Sequence, residues 1–132
     1  VGDGEGASKF VEIAVHGAES EAAATQIARS IANSPLFKTA MAGEDANWGR
    51  ILCAAGYSGV RFDPARTDIH IGELPVCKSG MGLQFDESRA KQILQQHDIR
   101  ISLDLKSGTA SSVVWTCDLT TEYIHINADY RT

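Results

Sequence analysis

A glycine-rich turn near the start of the chain runs directly into an alternating strand: Gly2-Asp3-Gly4-Glu5-Gly6-Ala7-Ser8-Lys9-Phe10, then Val11-Glu12-Ile13-Ala14-Val15-His16. The apolar side chains at 11, 13 and 15 point to one face and those at 10, 12, 14 and 16 to the other, which predicts a β-strand with two unlike faces. Glycines on both sides of Glu5 let the backbone pass close to a ligand. Taken alone, a short run of glycines and acidic residues is more typical of a solvated turn.

Three helices are predicted from capping residues and from apolar residues at helical spacing. The first ends before Pro35, which disfavours helical geometry at Ser34. The stretch 36–42 is mixed and fits either a strand or a short helix. The apolar positions of the first helix are Ala23, Ala24, Ile27, Ala28 and Ile31, and those of the third are Ala90, Ile93 and Leu94. The predicted caps are Ser20, then Asp45 for a helix over 48–55, and Asp86 or Ser88 for the third helix.

The later strands are short, and the clearest is the stretch 99–105, in which isoleucine and leucine alternate with polar residues. A loop is expected at Gly80-Met81-Gly82. The other predicted strands cover 68–72, 75–80, 112–119 and 121–127. Together these elements indicate a single domain over 1–132 with a layered α/β fold, whose late strands favour a mostly antiparallel or mixed sheet.

The composition argues against several classes of protein. The 132 residues are about one domain's worth of chain, and 43% of them are hydrophobic, which is enough for a core. Lys and Arg number 12 against 17 Asp and Glu, so the net charge is −5, and no block of like charge suggests a nucleic-acid surface. No apolar run approaches the roughly 20 residues of a membrane span.

The positions of the cysteines and histidines match no metal-binding or catalytic motif. Cys53, Cys77 and Cys117 are odd in number and lack zinc-site spacing, so we expect free, buried, non-catalytic thiols in a reducing compartment. The histidines at 16, 70, 97 and 125 are scattered and predict surface or half-buried packing residues. From the residues alone, no complete set of nucleophile, base and oxyanion donors can be assembled.

A polar loop precedes the second predicted helix. Its side chains Glu44, Asp45, Asn47 and Arg50 are close enough in sequence to form a local network suited to a cation or a phosphate. A metal site requires more ligands at fixed geometry. A capped and cross-linked loop is therefore the favoured interpretation.

Four blocks of sequence stand out in order along the chain. They are Asp3-Gly4-Glu5-Gly6-Ala7-Ser8-Lys9, Ser34-Pro35-Leu36-Phe37-Lys38-Thr39-Ala40, Gly43-Glu44-Asp45-Ala46-Asn47-Trp48-Gly49-Arg50, and Trp115-Thr116-Cys117-Asp118-Leu119 through Tyr123 to Asn127-Ala128-Asp129-Tyr130-Arg131-Thr132. The set resembles the C-terminal part of the ornithine acetyltransferase family, the glutamate N-acetyltransferases of arginine biosynthesis. The resemblance runs essentially from end to end of the chain.

The resemblance implies a fold and an activity. The fold is an αββα sandwich akin to a self-processing aminopeptidase family, and this chain corresponds to the C-terminal portion of the β chain of a precursor cleaved between Ala and Thr. The new N-terminal Thr carries the acetyl group from N2-acetylornithine to glutamate as an acyl-enzyme. Some members also accept acetyl-CoA as a co-substrate, and the resemblance implies neither a bound cofactor nor a metal.

Partners and a compartment also follow from the resemblance. The expected partners are the α chain and the N-terminal part of the β chain of the same precursor, in a heterotetramer or larger assembly, with contact mostly along Phe10 to Val15. The expected small-molecule ligands are N-acetylornithine, ornithine and glutamate, and neither nucleic acid nor a membrane is expected. The expected location is the cytoplasm, or the mitochondrial matrix if the source is a fungus.

By the same resemblance, the substrate-binding residues in this chain are Glu5, Asn127 and Thr132. Glu5 pairs with a substrate ammonium or moves a proton at the amine, and the other two hydrogen-bond to polar substrate groups. Val1 has no nucleophilic side chain, so no catalytic residue is expected in this chain and the nucleophilic Thr is expected on a segment outside it. The chain is thus expected to be a processed product or a piece of a longer one. Two alternatives remain: a non-catalytic structural or interaction fragment, and an aminopeptidase-like hydrolase.

Overall fold

The computed structural model describes residues 9–118, which form one six-stranded sheet with four α-helices and thereby confirm the α/β fold class. In chain order the strands are β1 (Phe10–Ala18), β2 (Asp68–Ile71), β3 (Leu74–Lys78), β4 (Met81–Gly82), β5 (Asp98–Asp104) and β6 (Ala110–Cys117). The helices are α1 (Glu21–Ala32), α2 (Pro35–Ala42), α3 (Trp48–Gly56) and α4 (Glu87–Leu94), and a 3₁₀ turn covers Pro64–Arg66.

The strand β1 lies inside a mixed sheet whose strand order is β4-β3-β2-β5-β1-β6. It pairs in parallel with β5, so that Val11 lies opposite Ile99 and Ile13 opposite Ile101. Its pairing with β6 is antiparallel, as are the other pairings among the described strands. A parallel pair needs a long crossover, and here the chain between β1 and β5 contains all four α-helices of the described part.

The hydrophobic core fills the space between one face of the sheet and the helices. Val11, Ile13 and Val15 of β1 are completely buried on this face, as the alternation predicts. The helix α1 packs against β1 and β6. Its buried residues are Ala24, Ile27, Ala28, Ile31 and Ala32. Residues 9–118 thus form one helical layer on one sheet, which is half of the αββα arrangement implied by the resemblance.

The helix starts follow local capping chemistry. The hydroxyl of Ser20 accepts a hydrogen bond from Ala23 N–H at 3.1 Å, which confirms the predicted cap of α1. The mixed stretch 36–42 is helical, because Pro35 occupies the first turn and Ser34 caps it. The prediction for the next helix was wrong in one respect, since Asn47 rather than Asp45 caps α3.

The reason for that difference is the position of the two side chains. The Asn47 amide oxygen accepts a hydrogen bond from Arg50 N–H at 3.1 Å, three residues ahead, as an N-cap does. Asp45 lies two residues earlier and instead accepts a hydrogen bond from the Asn47 side-chain amide at 3.3 Å. The helix α4, which is the third helix predicted from the sequence, begins as expected, with Asp86 as its cap.

Two other local predictions differ from the structure. Gly80-Met81-Gly82 was expected to be a loop, but Met81–Gly82 forms a short strand that pairs with Cys77 and Lys78 of β3. This edge strand packs closely on α3: a Cβ on Gly82 would lie only 2.6 Å from Cζ2 of Trp48. The predicted last strand, 121–127, lies outside the described residues.

The cysteines of the described chain are free, but only Cys77 is buried. Cys53 is exposed and Cys117 is partly exposed, so the prediction of three buried thiols was wrong for these two. Cys53 lies on the outward side of α3, whose buried residues are Ile51, Ala54 and Ala55. Burial, together with the negative charge of Asp68, raises the pKa of the Cys77 thiol above its ordinary value.

A first prediction concerns Gly80, which has a φ of 75°. A Cβ there would also collide with the carbonyl oxygen of Pro64. We therefore expect Gly80→Ala to lower the free energy of unfolding by at least about 1 kcal/mol. Gly56→Ala is the matched control, because a Cβ at Gly56 meets no atom within 4 Å. Urea unfolding of both variants measures the difference, and equal effects would contradict the geometry described here.

A second prediction concerns thiol reactivity. The thiolate is the reactive form, so the exposed Cys53 should react with iodoacetamide at least about tenfold faster than the buried Cys77, whose pKa is raised. Peptide mass spectrometry after timed labelling measures the two rates. In urea the two rates should converge. Faster labelling of Cys77 in the native protein would contradict the burial of this thiol.

Candidate functional site

The three predicted substrate-binding residues, Glu5, Asn127 and Thr132, lie outside the described residues. Residues 1–8 and 119–132, which carry them, are called the two site segments below. The structure describes the residues to which these segments are joined, Lys9 at the start of β1 and Asp118 at the end of β6. The geometry of this pair is therefore the part of the candidate site that can be built from the structure.

Lys9 and Asp118 are neighbours across the antiparallel β1–β6 pair. The Lys9 N–H donates to Oδ1 of Asp118 at 2.9 Å, and the Asp118 N–H donates to the carbonyl oxygen of Lys9 at 3.3 Å. The adjacent pair, Phe10 and Cys117, continues the same register. Opposite residues in such a pair lie about 5 Å apart, so the first and last described residues of the chain are neighbours in the sheet.

The Lys9 side chain lies under the helical layer, on the same face as Val11. Its Nζ is 3.7 Å from Oε2 of Glu44, which follows α2, and the residue is only 5% exposed. Asp118 is completely buried. The Gln95 side-chain amide, just after α4, donates to Oε1 of Glu44 at 3.4 Å. The buried start of β1 thus contacts polar groups that follow α2 and β6.

Glu44 adopts an unusual backbone conformation, with a φ of 57°. A side chain other than that of glycine rarely adopts positive φ, and such strain persists only where the surroundings fix it. The surroundings here include Gly43, the C-cap of α2, and the Lys9 ammonium. The strained turn therefore presents the Glu44 carboxylate to the start of β1.

The opposite face of the sheet carries a row of polar and aromatic side chains, which we call the outer face: Phe10, Glu12, Arg100 and Trp115. Oε2 of Glu12 lies 3.2 Å from Nη1 of Arg100, and the indole N–H of Trp115 donates to Oε1 of Glu12 at 3.2 Å. These groups line a shallow depression of about 230 Å³. Trp115 is 55% exposed.

The far end of the sheet holds a separate ion pair. Nζ of Lys106 lies 2.9 Å from Oδ2 of Asp68. Burial alone would raise the pKa of Asp68, but the hydrogen bond from Ser79 N–H and the ammonium groups of Lys106 and Lys78 hold it below its ordinary value. This pair ties β2 to the end of β5, at the opposite end of that strand from Asp98, which is paired with Phe10.

The polar loop over 44–50 is capped and cross-linked, as the sequence favours. The Arg50 guanidinium donates to the carbonyl oxygen of Leu36 at 3.1 Å, which ties α3 to α2. Within residues 9–118, no group of three or more His, Cys, Asp or Glu side chains is arranged to hold a metal ion. His16 and His97 are exposed and His70 is half-buried, in agreement with the prediction, while His125 lies outside the described part. Among the described helices, none has the length and apolar character needed to span a bilayer.

Sequence reasoning missed the cluster of Lys9, Glu44 and Asp118. A charged residue directly before the first strand and an aspartate near the end of the predicted strand 112–119 were a weak signal. The contact between Lys9 and Asp118 joins positions 109 residues apart, so their pairing depends on the order of strands in the sheet. A one-residue shift in strand register would separate the Lys9 N–H from the Asp118 carboxylate.

Comparisons with known proteins agree with one another. The model of the ArgJ family matches residues 1–132. The arginine biosynthesis bifunctional protein ArgJ of Thermotoga neapolitana is 48% identical over all of this chain and 34% of its own length. That of Desulfotalea psychrophila is 50% identical over 99% of this chain and 34% of its own length. The chain therefore spans about a third of the length of the curated relatives it matches.

A solved structure gives the same result for the fold. The crystal structure of arginine biosynthesis bifunctional protein ArgJ from Bacillus halodurans superimposes with a TM-score of 0.92 and is 43% identical in sequence. The match covers 98% of this chain and 61% of that chain. A family match over the whole sequence, close relatives and a shared fold lead to one conclusion: the chain belongs to the ArgJ family.

Proposed function

We propose that this chain is part of an acetyltransferase that moves the acetyl group of N-acetylornithine to glutamate in arginine biosynthesis. One observation supports the proposal beyond family membership: Lys9 and Asp118 form a single cross-strand pair. They are the described residues next in sequence to the segments that carry Glu5, Asn127 and Thr132, which we propose contribute to one substrate site. The name of the relatives, arginine biosynthesis bifunctional protein, supports the same pathway.

The proposed reaction transfers an acetyl group between two amines through an ester. A Thr hydroxyl outside this chain attacks the acetyl carbonyl, the C–N bond to ornithine breaks, and the amine leaves with a proton. The amine of glutamate then attacks the ester, and the Thr hydroxyl is regenerated. In this scheme Glu5 pairs with a substrate ammonium or carries the proton, and Asn127 and Thr132 bind polar substrate groups. Acetyl-CoA is proposed as a second acetyl donor, and no bound cofactor is proposed.

We propose further that the outer face is covered by the α chain and the N-terminal part of the β chain of the same precursor. Val11, Ile13 and Val15 are already buried under this chain's own helices, so the apolar half of β1 is not the surface that meets a partner. Phe10 and Trp115 are the exposed large apolar side chains of the outer face. A heterotetramer or larger assembly is proposed.

The location is proposed by analogy with the relatives. The relative from Yarrowia lipolytica, 48% identical over all of this chain and 32% of its own length, is named as a mitochondrial protein. We propose the cytoplasm for a bacterial source and the mitochondrial matrix for a fungal one. Fractionation of the source cells with an antibody to this chain tests the assignment.

The central test of the proposed function is Glu5→Gln in the full-length precursor. Removing the charge while keeping the shape should cost about 1.5–3 kcal/mol of substrate interaction, so acetyl transfer should fall by at least about tenfold. Precursor cleavage should change less, because it needs no amino-acid substrate. The measurements are steady-state transfer from N-acetylornithine to glutamate and cleavage followed on a gel.

Glu19→Gln is the matched control for Glu5→Gln. Glu19 is an exposed carboxylate that follows β1, at the opposite end of that strand from Lys9. Its substitution should leave transfer within about twofold of the wild type. Unchanged transfer and unchanged Michaelis constants in Glu5→Gln would show that Glu5 is only a turn residue.

The proposed partner surface is tested by Trp115→Glu in the same precursor. A new charge on the outer face should weaken assembly, because a desolvated, unpaired carboxylate is costly at an interface. The control is Tyr57→Glu, which changes an 83% exposed aromatic side chain just after α3. Size-exclusion chromatography should show dissociation for Trp115→Glu alone. Intact assembly of Trp115→Glu, or dissociation of Tyr57→Glu alone, would place the partner surface elsewhere.

A further inference from the structure

A cavity of about 280 Å³ opens at the carboxyl ends of the parallel strands β1 and β5, and we propose that it binds a small apolar molecule that carries a single carboxylate. Its walls come from the turn after β1, the start of α1, the loop before the 3₁₀ turn, and the turn after β5. The inference goes beyond the proposed acetyl transfer and does not depend on it.

The first step of the argument is the position of the cavity in the sheet. Ligands of α/β proteins commonly bind outside the carboxyl ends of parallel strands, where the connections leave the sheet. Here the connection from β5 to β6 crosses the end of β1, because β1 lies between those two strands. It passes so close that a Cβ on Gly108 would collide with the carbonyl oxygen of Ala18. The crossing connection and the start of α1 therefore form two walls of one cavity.

The second step is that hydrogen bonds hold these walls in place. The Ser107 N–H donates to the carbonyl oxygen of Gly17 at 2.8 Å, which fixes the crossing connection to the end of β1. The side-chain amide of Gln26 in α1 donates to the carbonyl oxygen of Ser58 at 2.6 Å, which ties the loop before the 3₁₀ turn to that helix. The cavity is therefore formed without a ligand, and binding requires little further ordering of the chain.

The third step is the apolar interior of the cavity. Ala18 and Leu105 line it and are each only 1% exposed, so they form its base. Ala23, Val60 and Phe62 are half-buried and pack against the core from the sides. At about 30 Å³ for each water molecule, the volume accommodates about nine water-sized groups. The cavity therefore suits a short apolar chain rather than a nucleotide or a peptide.

The fourth step is the charge at the rim. Arg61 lines the cavity, is exposed, and makes no ion pair or side-chain hydrogen bond within residues 9–118. A guanidinium presents N–H donors in a geometry that matches a carboxylate. The exposed carboxylate of Glu19 also lies at the rim, and it disfavours a ligand with a second negative charge. The rim therefore favours a monocarboxylate.

Two other cavities of the described residues lack this combination. In the depression on the outer face, Arg100 already pairs with Glu12 at 3.2 Å. In a groove of about 310 Å³ between the start of α2 and α3, the Arg50 guanidinium donates to the carbonyl oxygen of Leu36. Of the three, the cavity at the ends of β1 and β5 is the one that joins an apolar base to a guanidinium without a partner in residues 9–118.

The test is saturation-transfer NMR on the full-length protein, with hexanoate as the probe. Hexanoate combines a short alkyl chain with one carboxylate, and hexan-1-ol is the matched probe without the charge. We expect saturable binding of hexanoate in the millimolar range, because a ligand of so few atoms makes few contacts. Hexan-1-ol should bind about fivefold more weakly, because it forms no ion pair with Arg61.

Two variants locate the bound probe. Arg61→Gln should weaken hexanoate about fivefold, to the affinity of hexan-1-ol, and should leave hexan-1-ol unchanged. Ala23→Leu places a larger side chain in the cavity and should weaken both probes at least about fivefold. The matched control is Arg66→Gln, which removes an exposed guanidinium of the 3₁₀ turn that does not line the cavity. Its affinity for both probes should equal that of the wild type.

Several results would overturn the inference. They are no saturable binding of hexanoate by the wild type, equal affinity for the two probes, an unchanged affinity for hexanoate in Arg61→Gln, or an equal loss in Arg66→Gln. Because Arg61 is exposed, its substitution should leave the fold intact, so the test does not depend on the folding of Ala23→Leu. Failure of the proposed function is seen separately, as absence of acetyl transfer from N-acetylornithine to glutamate.

Discussion

The parallel pairing of β1 with β5 is the constraint on which the rest of the structure depends. These strands come from opposite ends of the described chain, and every α-helix of that part lies in the connection between them. Once they pair, Val11 and Ile13 meet Ile99 and Ile101 in one buried layer. The helices then have a single apolar face to cover. Closing so long a connection costs conformational entropy before any contact between β1 and β5 has formed. The pairing of these strands therefore depends on the apolar alternation in both of them.

This arrangement gives the sheet two faces with different tasks. The face under the helices is covered by aliphatic side chains of the described residues. The outer face instead carries the row of Arg100, Glu12 and Trp115, where one carboxylate bonds to a guanidinium on one side and an indole on the other. A row of this kind keeps its hydrogen bonds satisfied in water. Residues 9–118 therefore combine an aliphatic core on one face of the sheet with a polar and aromatic surface on the other.

The sequence predicts those parts of the fold that are decided locally. Ser20 is a cap because its hydroxyl reaches a backbone N–H three residues ahead, and the alternation over 99–105 is a strand because one face is buried. Predictions from local sequence fail where contacts with other elements of the fold determine the structure. The exposure of Cys53 depends on which side of α3 meets the core, and Met81–Gly82 becomes a strand only because the end of β3 offers a partner. The candidate site residues came from family resemblance, since a glycine-flanked carboxylate alone does not distinguish a pocket from a turn.

The buried charged residues at the start of β1 constrain the strand in a different way from the apolar core. Apolar burial is non-directional, so it tolerates small shifts of one strand against another as long as the same face stays covered. Hydrogen bonds and ion pairs are directional and are lost when donor and acceptor move by a fraction of their separation. The aliphatic core therefore excludes a one-residue slip of β1, which would turn Val11, Ile13 and Val15 to the other face of the sheet. The hydrogen bonds between Lys9 and Asp118 add a directional constraint on the same register against β6, at the last described pair of residues.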